Sequence, residues 1–290
     1  MSNRITFVVA VTGLSVMTGI FFFGCFASEE EIFYIAGIPD QNVGELTRQY
    51  AEFTEYLSHE LGVPVRYVPT IDYAATVISF SRGDVHLAWL GGLTGVQARL
   101  LVPGSIAIAQ RARDAEFHSV FVHNTSVDVK SLRDLEGLRF SFGDENSTSG
   151  YLMPRHSLAA AGIDVDDYFD GSPMFSGSHD KTWLLVQGGG AQAGVLSEAV
   201  WEKALDQGRV DSLKVQVFFT TPSYFDYNWT AHPDVEDLFG EGFTKRAQSA
   251  ITRLNDPKIL QLFSADTFIK SRNANYREIE DIARSLDIIR

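Results

Sequence analysis

Glu145-Asn146-Ser147-Thr148-Ser149-Gly150-Tyr151-Leu152-Met153-Pro154 follows an apolar, strand-like run at 138–142 and opens a helical-looking stretch at 151–161. Strand, polar turn and helix in that order form the building unit of an α/β protein. The hydroxyls of Ser147, Thr148 and Ser149 can cap the helix, whose first backbone N–H groups have no partner within it. The same donors, with the positive end of the helix dipole, suit an anion. One hydroxyl would satisfy the cap; three in succession exceed that need and favour the anion. Gly150 lets a ligand approach the backbone. Pro154 is expected to kink the helix inside its second turn.

The same alternation extends in both directions. Strands are expected at 32–37, 63–68, 85–89 and 105–110, with helices at 44–61, 73–80 and 94–101 between and after them. Leu46, Tyr50, Phe53 and Leu57 fall on one face of the first helix. A second cycle begins near Phe117, with strands at 139–142, 193–196 and 215–220 and helices at 181–186 and 199–205. The strand at 215–220 reads as the last clear one, and the chain from Val235 onward reads as mostly helical, at 243–254, 258–263 and 276–286. The pattern predicts an α/β fold of two lobes with largely parallel sheets. Lobe 1 is expected over 28–114 plus 230–290 and lobe 2 over 115–229, with crossovers near 114–117 and 227–231.

With 290 residues, 45 % apolar and 21 % charged, the composition is that of a globular protein. The N-terminus stands apart. Arg4 precedes an uncharged run from Ile5 to Phe26, the pattern of an export signal over 1–24. The run is also long enough to span a bilayer. Gly24-Cys25 resembles a lipoprotein cleavage site, although Phe22 and Phe23 are bulky for one, and Cys25-Phe26-Ala27 offers ordinary cleavage near Ala27. Lipidation of Cys25 is favoured, because it is the only cysteine and has no intramolecular disulfide partner. Removing residues 1–24 leaves 23 basic against 37 acidic residues, a net charge of −14. Such a chain repels nucleic acid and anionic lipid. It does not exclude a small anion, since oriented N–H and O–H groups act at contact range while distant charges are screened beyond roughly 8–10 Å.

Gly91-Gly92-Leu93-Thr94-Gly95 follows a strand and opens a helix, so it exposes N–H groups at a carboxyl edge of a sheet. Facing the turn at Ser147, it gives two lobes that each offer donors to one anion. In Ser176-Gly177-Ser178-His179-Asp180-Lys181, Ser178 or Asp180 can cap a helix beside an exposed His179, or His179 can donate to an oxyanion; the two readings stand level. Thr221-Pro222-Ser223-Tyr224-Phe225-Asp226-Tyr227 is a Pro-set aromatic turn, from which Asp226 can accept a hydrogen bond from a protonated ligand oxygen. Other constellations fail. Gly188-Gly189-Gly190 follows a helix rather than a strand, His118 and His123 lie on opposite strand faces, and there is no nucleophile elbow or Walker A sequence. Neither enzyme activity nor a cofactor or metal is expected.

Six blocks resemble the substrate-binding proteins of ABC importers for phosphonate, phosphite and related oxyanions, and within them the branch labelled selenate-binding. They are Ile38-Pro39-Asp40-Gln41, Asp72-Tyr73-Ala74-Ala75, GGLTGVQAR (91–99), FGDENSTSGYLMPR (142–155), GSHDKTW (177–183) and TPSYFDYNW (221–229). The resemblance implies a two-lobed flytrap of the type II periplasmic-binding class, monomeric, holding an oxyanion in its cleft and serving an ABC permease. It implies ligand contacts from Tyr73, from Gly91, Gly92, Leu93 and Thr94, from Ser147, Thr148 and Ser149, and from His179 and Asp226. Phe225 and Asn228 depart from the histidines expected in the selenate-labelled branch. The alternative is a periplasmic partner of a sensor histidine kinase; capture of arsenite by a thiol is disfavoured, because no cysteine follows Cys25.

Overall fold

From Glu30 the chain runs into a buried strand, β1 (Phe33–Gly37), and then into α1 (Val43–Leu61). The computed structural model describes residues 30–289, so the expected signal segment, Cys25 and the cleavage site near Ala27 lie outside the described residues. Asn42 starts α1 by accepting the Gly44 and Glu45 N–H groups, and Gly62, at φ 71°, ends it in the left-handed region that glycine adopts without strain. Leu46, Tyr50, Phe53, Leu57 and Leu61 form its buried stripe. Each such side chain removed from water stabilises the fold by roughly 1.5–3 kcal/mol. There follow β2 (Val65–Tyr67), α2 (Tyr73–Ser81), β3 (Leu87–Leu90), α3 (Gly92–Leu101) and β4 (Ile106–Arg111).

Residues 112–118 then cross to a second sheet. Its elements are β5 (Ser119–Asn124), β6 (Phe140–Phe142), α4 (Met153–Ala160), β7 (Met174–Phe175), α5 (His179–Gln187), β8 (Ala193–Ser197), α6 (Glu198–Asp206) and β9 (Val215–Thr220). Residues 221–227 cross back. β10 (Asn228–Ala231), α7 (Val235–Phe239), α8 (Phe243–Arg253), α9 (Pro257–Leu262), β11 (Phe268–Lys270) and α10 (Arg277–Ser285) complete the first half. Residues from Glu31 onward form a single unit.

The first sheet has the order β11-β4-β10-β3-β1-β2 and the second β7-β6-β8-β5-β9. Both are mixed, which corrects the expectation of largely parallel sheets. β1 is parallel to β2 and β3, whereas β10 is antiparallel to β3 and β4, and β11 to β4. In the second sheet β6 is parallel to β7 and β8, and β5 is antiparallel to β8 and β9. The chain leaves the first sheet at the end of β4 and re-enters beside that exit, so β10 must run back along β4. Residues 228–231, expected to belong to a crossover, are therefore a central strand, and β9 is not the last strand.

Asp114 joins the two crossings. Its carboxylate takes the Arg111 guanidinium through Nε at 2.8 Å and Nη2 at 2.6 Å, and its carbonyl accepts the Asp226 N–H at 3.0 Å. Phe117 and Tyr224 exchange two backbone bonds alongside, at 2.9 and 3.0 Å. Arg111 Nη1 donates to Phe263 O at 2.7 Å, and the guanidinium lies against the rings of Tyr227, Trp89 and Phe117. A fork-to-fork pair in so dry a place leaves a bare buried charge if one partner is lost, at a cost of about 3–5 kcal/mol. Asp114→Ala should lower the unfolding free energy by that amount in urea titration. Replacing the pair together, Arg111→Met with Asp114→Leu, should cost less; equal losses would deny the pair this role.

Candidate functional site

The turn after β6 is wider than an α-helical one. Residues 148–152 form a π-type turn, and α4 begins at Met153 with Pro154 in its first turn. Pro154 thus stands in the first turn of α4, directly behind the π-type turn, and not inside a second turn as expected. Each hydroxyl then does a different task. Ser147 Oγ caps the turn by accepting the Gly150 N–H at 2.9 Å. Thr148 Oγ1 accepts the Leu93 N–H at 3.0 Å, from the opposite half of the molecule. Ser149 Oγ lies 3.5 Å from His179 Nε2. A Cβ at Gly150 would approach His179 Cε1 and Gly143 Cα to 3.1 Å, so this position requires glycine.

Across the cleft stands the N-terminus of α3. Gly92 N–H donates to Asp226 Oδ1 at 2.9 Å, beside the Leu93 bond to Thr148. A Cβ at Gly91 would lie 3.0 Å from Thr148 Oγ1 and 3.2 Å from Asp226 Oδ1, so only glycine permits this approach. Thr94 is buried, but its hydroxyl donates to Gly91 O at 3.2 Å, within its own turn.

His179 is the first residue of α5 and is 1 % exposed, which overturns the reading of an exposed histidine beside a cap. Ser178 makes no cap bond; its hydroxyl goes to Asp180 Oδ1 at 2.7 Å. His179 Nδ1 accepts the Ser197 N–H at 3.2 Å, which leaves the proton on Nε2, the nitrogen beside Ser149. Burial lowers its pKa to about 3, so the ring is a neutral donor. Tyr73 opens α2 behind the Asp72 cap; its Oη is buried without a partner, and burial raises its pKa, so the phenol keeps its proton.

Asp226 faces the same place from the second crossing. Its Oδ2 is buried and unpartnered. Burial raises its pKa to about 7, against the pull of the Gly92 N–H and the Thr148 hydroxyl. Helix donors favour the carboxylate, and desolvation outweighs them.

All the predicted contact residues thus meet at one buried locus, Thr94 with its hydroxyl turned back. Sequence reasoning missed Tyr227, whose Oη donates to Asp40 Oδ2 at 2.8 Å, and Asp40 itself, whose carbonyl accepts the His179 N–H at 3.0 Å. It also missed Tyr224, bonded to Ser119 Oγ at 2.6 Å and close to Ser149 and Asp226. The aromatic turn at 221–227 carried that signal. An open groove of about 780 Å³ between α6 and α9 contains none of these residues. Open volume is a poor guide to a cleft that closes on a few atoms. Among the described residues no group of three or more His, Cys, Asp or Glu side chains is placed to hold a metal.

Two half-molecules hinged by two crossings, with neutral donors converging between them, define a solute-binding protein that encloses a small anion. A family model for the periplasmic substrate-binding protein of phosphonate ABC transporters matches residues 35–276, and the chain belongs to that family. It is 43 % identical over 274 residues to the probable ABC transporter phosphite binding protein PhnD1 of Prochlorococcus marinus (strain MIT 9301), covering 91 % of this chain and 92 % of that one. The solved structure of PhnD1 in complex with methylphosphonate, 44 % identical, superposes with a TM-score of 0.85 over 89 % of this chain and 99 % of that one. The phosphate-import protein PhnD of Mycolicibacterium smegmatis is 26 % identical over 232 residues, 75 % of this chain and 72 % of that one. The family's members are transport components acting in the periplasm, and a sensor-kinase role has no support among these relatives.

The raised pKa of Asp226 has a consequence for stability. The folded state holds this proton up to about pH 7, whereas the unfolded carboxyl releases it near its ordinary value of 3.8. The folded state then binds more protons between those values, so stability falls as pH rises through that window and levels off above it. Asp226→Asn should flatten this slope and raise the thermal midpoint at pH 8. An unchanged slope in differential scanning calorimetry would show that Asp226 is not the titrating group.

Proposed function

We propose that the protein captures a small phosphorus oxyanion that can carry an O–H, phosphite or methylphosphonate first, and delivers it to an ABC permease. The observation that carries this reading is the free Oδ2 of Asp226, a buried carboxylate oxygen among donors. A carboxylate in an anion site repels a fully ionised ligand but accepts a hydrogen bond from a protonated one. PhnD1, a probable phosphite binding protein solved in complex with methylphosphonate, supports the same class. Selenate and sulfate, which have no proton to give at neutral pH, fit poorly, and Phe225 and Asn228 stand where the selenate-labelled branch would have histidines.

In this reading the N–H groups of the Gly91–Leu93 turn exchange their bonds to Asp226 and Thr148 for bonds to the ligand, Tyr73 and His179 donate beside them, and Ser147, Thr148 and Ser149 add hydroxyls. Thr94 shapes the turn. The ligand sits between the lobe built on the first sheet, which includes β10, and the lobe built on the second, β5 to β9. Export by the segment 1–24 delivers a monomer to the periplasm, anchored on the outer face of the cytoplasmic membrane by a lipid on Cys25 or freed by cleavage near Ala27.

A thermal-shift panel tests the ligand class, because a ligand at 100 times its dissociation constant adds about 2.7 kcal/mol to stability. Phosphite, methylphosphonate, phosphate and arsenate should stabilise the protein more than selenate or sulfate, and Asp226→Asn should narrow the difference. Stabilisation by selenate alone would overturn the proposal. Thr148→Val keeps the shape and removes the hydroxyl; it should weaken calorimetric binding of methylphosphonate by about 1.5–3 kcal/mol, as for a hydrogen bond to a charged group. Unchanged affinity would place the ligand elsewhere.

A further inference from the structure

The side chains at the locus are sealed: Ser147 and Thr148 are 2 % exposed, and Ser149, His179 and Asp226 1 %. A polyatomic anion cannot reach them unless the half carrying β1 and α3 separates from the half carrying the 147–152 turn and α5. Contacts that cross this boundary therefore break on opening and form on closing. On one flank the boundary is joined by a neutral bond, Gln97 Nε2 to Asn146 Oδ1 at 3.0 Å. The other flank carries opposed charge. Glu45, in the first turn of α1, receives Arg209 Nη1 at 3.0 Å and stands 3.6 Å from Lys203 Nζ. Lys203 also donates to Gln41 Oε1 at 3.0 Å.

These residues are not scattered surface ions. Lys203 and Glu45 have side chains 18 % and 22 % exposed, and the Arg209 guanidinium lies 5.4 Å from the Trp183 ring. Trp183 belongs to α5, the helix that His179 begins. On the facing side, Gln41 adjoins Asp40, whose carbonyl takes the His179 N–H at 3.0 Å. The charged cluster and the site are thus built on the same two pieces of backbone.

We propose that Glu45, held by Lys203 and Arg209 across the cleft, is a latch that favours the closed form and so sets how long a bound anion stays. None of the three touches the anion locus; Glu45 acts on binding by positioning the two halves. A receptor binds with an apparent affinity reduced by the fraction of time it is competent to hold its ligand, and closure contacts act on escape more than on encounter. The inference rests on the reading of the protein as an anion receptor that closes, but not on which anion it takes.

Stopped-flow displacement of methylphosphonate, followed by tryptophan fluorescence, gives the first test. Glu45→Gln should raise the dissociation rate roughly threefold to tenfold, the scale of one or two half-buried ion pairs, with little change in the association rate. The wild-type dissociation rate should rise with salt and that of Glu45→Gln should not. In a Lys203→Gln, Arg209→Gln background the Glu45 change should have almost no further effect. The unfolding midpoint without added ligand controls for damage to α1. A wild-type dissociation rate in Glu45→Gln, or the same increase in the background lacking both cations, would overturn the latch.

A second measurement needs no ligand. Spin labels at Ile71→Cys and Leu213→Cys, exposed sites on the two halves, report the distance between them. Glu45→Gln should lengthen the mean distance at low salt, and identical distributions would overturn the proposal. If methylphosphonate fails to bind the wild type, the ligand reading falls while the label distances still decide on the latch.

Discussion

The buried pair of Arg111 and Asp114 is the constraint from which the site is built. Asp114 holds Arg111 with its side chain and the backbone of Asp226 with its carbonyl. Arg111 lies 4.7 Å from the Tyr227 ring, and Tyr227 donates to Asp40. Asp40 in turn fixes the first N–H of α5. One ion pair at the crossing thus sets, through four contacts, where Asp226 and His179 stand relative to each other. A well-packed apolar pair would fill the same space at similar stability. It would not offer a carboxylate fork and a carbonyl in fixed relation, which the two crossings need in order to carry functional groups toward the cleft.

The donors that converge there are neutral. Backbone N–H groups of α3, hydroxyls, a phenol that keeps its proton and an imidazole held uncharged by burial replace the lysines and arginines that a phosphate site on a protein surface would use. Neutral dipoles are aimed by the fold and do not reorganise. The strongly acidic surface is therefore compatible with an anionic ligand. On the function proposed above, selectivity would fall to Asp226, a buried carboxyl among these neutral donors.

Legibility in the sequence followed how local each cause was. The Gly91–Gly95 turn and the three hydroxyls could be read because strand, turn and helix succeed one another within a dozen residues. α1 could be read from its stripe. β10 could not: Asn228-Trp229-Thr230-Ala231 is buried on both faces and its polar residues answer distant partners, with Arg99 donating to Asn228 and Thr230 at 3.3 and 3.1 Å. The polar–apolar alternation spans only four residues, and burial of its polar positions removes the contrast between a wet and a dry face. β11 has three residues, and its pairing with β4 is set by the tertiary fold. His179 stood undecided because its fate lies with the Ser197 N–H, 18 residues further on. Asp40 was visible only as part of a family-like block, since its task is to meet Tyr227 from 187 residues away.

Asp226 concentrates these themes in one side chain. Its Oδ1 sits on the N-terminus of α3, a fixed positive end, and still the carboxyl is pushed up to about 7. Two opposed effects meet there, donors that favour the carboxylate and desolvation that disfavours it more. The result is a carboxyl that changes its charge near neutral pH, the range in which phosphorus oxyanions change between their last two charge states. When two such groups meet in a dry cleft, the pair titrates as a unit and one proton serves both. A carboxyl that would merely repel anions at the surface can, once buried beside a helix N-terminus, share a proton with one.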